Sequence, residues 1–96
     1  MAKVRVPRTH VTPDEVVTVL NRRLGTRYRV GHRGTRSVQV RRNHFAGADV
    51  RIRDVAGATV FRVRGHGLPL LRLPNSLTTA RRVAAALRQS AEFRSL

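Results

Sequence analysis

The sequence predicts an α+β two-layer sandwich: an N-terminal helix, an antiparallel meander of four to five strands and a C-terminal helix, with both helices on one sheet face. Three observations lead there. Apolar residues recur at helical spacing over 13–24 and again from about 76 to 91. Between them, from 27 to 73, the apolar period drops to two. Gly, Pro, Asn and Asp interrupt that middle stretch at short intervals. The chain of 96 residues reads as one small basic domain, residues 1–96.

Residues 1–11 carry Lys3, Arg5, Arg8 and His10 and read as a short strand or a loose arm. Thr12-Pro13-Asp14-Glu15 is a helix start. Thr12 caps, Pro13 takes the first helical position, and Glu15 reaches back to the cap. Asp14 and Glu15 are both assigned to this cap. Val11 and Val16 fit a hydrophobic staple across it. Val16, Leu20 and Leu24 then share one face, Arg22 and Arg23 suit the last turn, and Gly25 ends the helix.

From Arg27 onward apolar residues alternate with polar ones in short runs: Tyr28 and Val30, Val38 and Val40, Val50 and Ile52, Phe61 and Val63, and finally Leu71 and Leu73. The expected breaks fall at Gly31 to Arg36, Asn43 to Gly47, Asp54 to Gly57 and Gly65-His66-Gly67. Pro74-Asn75-Ser76 is expected to close the sheet and cap the second helix. Leu77, Ala80, Ala84, Leu87 and Ala91 form its apolar stripe, with Val83 beside it. Residues 92–96 are expected to fray.

Two helices with one apolar stripe each, and a sheet with one apolar face, are satisfied by a single two-layer core. The other sheet face is then open. By alternation it displays Arg27, Arg29, Arg41, Arg51, Arg53, Arg62, Arg64 and Arg72. Arg33 and Arg36 sit in the basic glycine-bearing loop Gly31-His32-Arg33-Gly34-Thr35-Arg36. Arg81 and Arg82 follow Ser76, Thr78 and Thr79 at the start of the second helix, where no Asp or Glu opposes an anion.

Charge sets the function class. Twenty basic residues face five acidic ones, for a formal net charge of +15. Such a balance favours polyanions. All the basic residues but Lys3 are arginine, whose planar fork suits phosphate. A GC-rich coding bias also produces that ratio, so the excess of base over acid carries more weight than the choice of Arg. The expected partner is nucleic acid, DNA or RNA, bound through arginine–phosphate contacts with little sequence specificity. A protein–protein module is the alternative, either a homodimer or a pairing with an acidic protein. Tyr28 and Phe61 fall in phase with the core, so a base-stacking platform is not expected. Double-stranded forms are therefore favoured.

The order helix–strands–helix resembles that of double-stranded RNA-binding domains, which implies phosphate contacts at the start of the second helix. The glycine- and lysine-rich start typical of that family is absent. The order is also similar to that of a small bacterial toxin family that cleaves messenger RNA with one histidine. That resemblance implies a role for His32, although Gly31-His32-Arg33-Gly34 departs from the family's Gly-Ser-His motif. An RNA-cleaving toxin is thus a third reading.

Little else suggests an enzyme. The sequence has no cysteine, which removes disulfides, thiolate metal sites and cysteine nucleophiles. His10, His32, His44 and His66 are scattered, and no pair has metal-ligand spacing on a helix. Asp49 with His44 is the one acid–base pair worth naming. No catalytic residue, metal or cofactor is expected. No signal peptide or membrane span fits the N-terminus or the short apolar runs, and a cytoplasmic location is expected.

Overall fold

The structure, a computed structural model, describes residues 2–42, 46–67 and 72–94. It is the expected α+β sandwich. Strand β1 (Ala2–Val6) precedes helix α1 (Pro13–Leu24). Strands β2 (Arg29–His32), β3 (Ser37–Arg41), β4 (Ala46–Val55) and β5 (Ala58–Gly67) follow, then helices α2 (Arg72–Gln89) and α3 (Ala91–Arg94). All five strands form one sheet in the order β1-β5-β4-β3-β2, and every neighbouring pair is antiparallel.

Helix α1 forms where its capping signals place it. Glu15 N–H donates to Thr12 Oγ1 at 3.2 Å, and Thr12 N–H donates to Glu15 Oε1 at 3.3 Å. These reciprocal bonds satisfy two amides with no intrahelical acceptor. Val11 and Val16 are both fully buried, as a staple requires. Asp14 is not part of this box. It meets His32 Nε2 at 2.8 Å and ties the start of α1 to β2.

The amphipathic segment at the N-terminus is a strand, not an arm. Val4 and Val6 enter the core, and β1 pairs with β5 from Ala2↔Val63 to Val6↔Thr59. The β4–β5 hairpin is longer than the sequence suggests. Gly65, His66 and Gly67 do not turn but continue β5, with Gly47 opposite His66 and Ala48 opposite Gly65. The actual turn is Ala56-Gly57, where Gly57 has φ 74°, a backbone region open to glycine at no steric cost.

Leu73 does not belong to a fifth meander strand, and Leu71 of that expected segment is not described. Residues 68–71 lie outside the described residues, and α2 already begins at Arg72. Pro74 is thus in the first turn, where its missing N–H costs no hydrogen bond. Arg72 therefore leaves the sheet array. Val83, Ala84, Ala86 and Leu87 bury one side of α2, and Ala91 of the expected stripe is exposed on α3 instead. The chain breaks helix at Ser90, whose hydroxyl donates to Glu92. The end is not frayed through residue 94: Phe93 is fully buried, its ring 5.3 Å from that of Phe61.

Both helices cover the same sheet face. Val16, Val19 and Leu20 of α1 join Val83 and Leu87 of α2 in one core with Val38, Val40, Val50, Ile52, Phe61 and Val63 of the sheet. The opposite face has no element over it among the described residues.

Candidate functional site

On the uncovered face, alternation sets the side chains and register sets their neighbours. Ile52 and Phe61 are core partners, so Arg51 and Arg53 of β4 and Arg62 and Arg64 of β5 point the other way. Arg51 is directly opposite Arg62, and Lys3 of β1 lies opposite Arg62 on its other side. Three cations therefore run in a row across β1, β5 and β4. Arg5 and Arg53 flank Val60 in the next row. Arg29 and Arg41 are opposite each other on β2 and β3.

The acids are committed elsewhere or to one corner. Glu15 pairs with Arg8, Asp14 with His32, Asp49 with Arg33, Asp54 with Arg36 and Glu92 with Arg22. All five acids of the chain are thus used. Among the described residues, Lys3, Arg5, Arg29, Arg41, Arg51, Arg53, Arg62 and Arg64 have no carboxylate partner. Like charges facing each other across a ladder repel; among the described residues the carboxylate that lines the cleft with them is Asp49, and it is held by Arg33.

A cleft of about 390 Å³ opens on this face, lined by Arg33, Ser37, Asp49, Arg51, Arg62 and Arg64. Arg33 comes from the β2–β3 loop. Its N–H donates to the Ser37 carbonyl at 2.9 Å, and its Nη1 meets both Asp49 oxygens at 2.9 and 3.0 Å. Arg62 Nε is shielded from solvent and has no hydrogen-bond partner among the described residues. A shielded donor of that kind asks for an acceptor.

The other sequence-predicted site residues are dispersed. Arg27 is exposed in the turn before β2. Arg36 is held by Asp54 at 3.1 Å, and its carbonyl accepts from Ile52 N–H. That register gives Arg36 the parity of the core side. Arg81 and Arg82 are exposed on α2, on the helical side of the sheet and away from the arginine face. Arg72 belongs to the same helix. Sequence reasoning missed Lys3 and Arg5. Their alternation with Val4 and Val6 is the signal, and it becomes decisive only once β1 is known to pair.

Tyr28, Phe61 and Phe93 are all buried, so no described aromatic ring is presented for stacking; Phe45 lies outside the described residues, as does His44. Asp49 binds Arg33, and its expected pairing with His44 falls outside the described residues. Among the described residues no three His, Cys, Asp or Glu come together as metal ligands, and no helix is long and apolar enough to cross a membrane. The lowered pKa of Glu92 comes first from the Ser90 hydroxyl bond, then from its own backbone N–H, with Arg22 and Arg23 adding attraction. It belongs to the docking of α3, not to the arginine face. Comparison with protein-family models, with curated proteins and with solved structures finds no match to this chain.

Proposed function

We propose that this protein binds nucleic acid through phosphate contacts on the open sheet face, with little sequence specificity. The observation that carries the reading is the charge ledger of that face. Every acid of the chain has a basic partner, yet the strands set Lys3, Arg62 and Arg51 side by side. Residues two apart on a strand lie about 6.7 Å from each other. Arg51 and Arg53, or Arg62 and Arg64, thus form a two-dimensional grid suited to a phosphate backbone. The lack of a described exposed aromatic favours duplex over single strand.

The test is binding of labelled duplex DNA, duplex RNA and single strands at two salt concentrations. The comparison protein has Arg51, Arg53, Arg62 and Arg64 changed to Gln. Six engaged phosphates would make affinity fall about a thousandfold between 50 and 200 mM salt. The variant should lose most of both affinity and salt dependence. No binding at low salt, or equal binding by a folded variant, removes the sheet face as the site. A salt-resistant species at twice the monomer mass would favour the homodimer reading instead.

His32 supports a second, narrower reading. Its Nε2 is 2.8 Å from Asp14 Oδ1, an arrangement that orients a general base. Half of its side-chain surface is exposed, but it does not line the arginine cleft. RNA cleavage that disappears in His32→Ala would establish that reading.

A further inference from the structure

Asp49 anchors Arg33 of the β2–β3 loop, but it also brings a carboxylate into the arginine cleft, where a ligand of phosphates alone has no use for it. The carboxylate stands two residues before Arg51 on the same side of β4, directly opposite Arg64. It shares the cleft with Arg33, Ser37, Arg51, Arg62 and Arg64. About 31% of its side-chain surface is exposed. Its negative charge repels any phosphate brought in by those arginines. It favours only a ligand that carries a hydrogen-bond donor next to the phosphate.

We propose that the cleft distinguishes RNA from DNA. Arg51, Arg62 and Arg64 hold a backbone phosphate, and Asp49 accepts a hydrogen bond from the adjacent ribose 2′-hydroxyl. This deepens the nucleic-acid reading and rests on it. A carboxylate offers about four lone-pair positions, and the part of Asp49 that stays exposed beside Arg33 lines the cleft, where it accepts from a hydroxyl that enters. Arg33 Nη1 meets both carboxylate oxygens and fixes their direction. The neighbouring Arg62 Nε is a shielded donor without a partner among the described residues, and a phosphate oxygen supplies the acceptor. The 2′-hydroxyl is the group by which a protein tells the two polymers apart at a given contact. With DNA the same phosphates meet the same arginines, but no hydroxyl donates to Asp49. Specificity is that difference.

The experiment uses short labelled duplexes of one sequence: RNA, DNA, and RNA carrying 2′-fluoro in place of 2′-hydroxyl. The fluoro duplex keeps the A-form shape and lacks the donor. The wild-type protein should bind RNA roughly tenfold more tightly than DNA, the effect of one hydrogen bond to a charged group. The fluoro duplex should fall to the DNA level. Asp49→Ala should tighten DNA binding and bring the RNA-to-DNA ratio close to one. Asp49→Asn, which keeps a carbonyl acceptor, should retain part of it. Equal binding of RNA and DNA by the wild type overturns the proposal, and so does fluoro RNA bound as tightly as RNA. An unchanged ratio in folded Asp49→Ala does the same. The fluoro comparison needs no variant and stands even where a substitution disturbs the sheet. Absence of salt-sensitive binding to any duplex would overturn the nucleic-acid reading itself, whereas salt-sensitive binding without RNA preference removes only the role of Asp49.

Discussion

Arg51 and Arg62 stand directly opposite each other on β4 and β5, and neither has a carboxylate partner among the described residues. Lys3 lies on the other side of Arg62. The fold thus holds like charges together at its centre. They are not needed for the core, which is built entirely on the opposite side of the same strands.

Arg51→Gln should therefore stabilise the free protein at low salt. Removing one of two facing charges relieves roughly 0.2–1 kcal/mol. The gain should shrink at 1 M salt, where the screening length is only about 3 Å. Thermal melts at low and high salt measure it. A low-salt loss of stability would mean that Arg51 contributes packing that outweighs the repulsion.

Phe93→Ala should cost about 3–5 kcal/mol. The ring is fully buried against Phe61 at 5.3 Å. Domains of this kind have only about 5–15 kcal/mol in total, so much of the stability goes with one residue of a four-residue helix. Urea unfolding gives the number. A cost under 1 kcal/mol would show that α3 is an ornament to the core.

That residue also shows where the sequence stops being readable. Val16, Leu20 and the cap at Thr12 specify α1 locally, and the alternation of Val50, Ile52, Phe61 and Val63 specifies which hairpin face carries arginine. These signals lie within a few residues of one another. Phe93 is different. Its partner Phe61 is on a strand far back in the chain, and nothing near Phe93 announces a helix. The same holds for β1, which has no hairpin partner in sequence and is recruited by β5 across most of the domain. Lys3 and Arg5 were hidden with it. Arg72 misled for a converse reason: its apolar neighbours alternate like a strand, yet Pro74 is compatible with a helical first turn. The Arg33–Asp49 pair joins a loop to a central strand, a contact that register reveals and composition does not.

Thr12→Ala should destabilise by about 1 kcal/mol. Thr12 Oγ1 accepts from Glu15 N–H, and its loss also leaves the Glu15 side chain with a poorer anchor. Glu15 also pairs with Arg8, so Glu15→Ala should cost at least as much. Chemical denaturation of the two variants checks the order. A neutral Thr12→Ala would mean that the tertiary contacts of Val11 and Val16 fix the helix start without the cap.

Acid should loosen the α3 corner through Glu92. Its folded pKa lies below the ordinary 4.5, chiefly because Ser90 Oγ–H donates to it. A lowered carboxylate pKa stabilises the charged native form. The contribution is complete above about pH 4.5 and disappears as pH falls through the lowered folded value. Melting curves of wild type and Glu92→Gln should therefore be separate near pH 6 and converge in strong acid. Parallel curves throughout would exclude any linkage at this residue.

Arg81 and Arg82 separate the sheet-face reading from a general effect of charge. Both are exposed on α2, and α2 lies on the side of the sheet opposite Arg51 and Arg62. Changing the pair to Gln removes as much net charge as changing Arg51 and Arg64. Long-range attraction treats the two double variants alike, but direct phosphate contact does not. For duplex binding, each lost contact should lower the slope of log affinity against log salt by about 0.9. Arg51→Gln with Arg64→Gln should thus reduce the slope by nearly 2, while Arg81→Gln with Arg82→Gln should leave it nearly unchanged. Equal reductions would place the helix arginines in the interface as well, and the bound polymer would then have to wrap the edge of the sandwich rather than lie on the sheet.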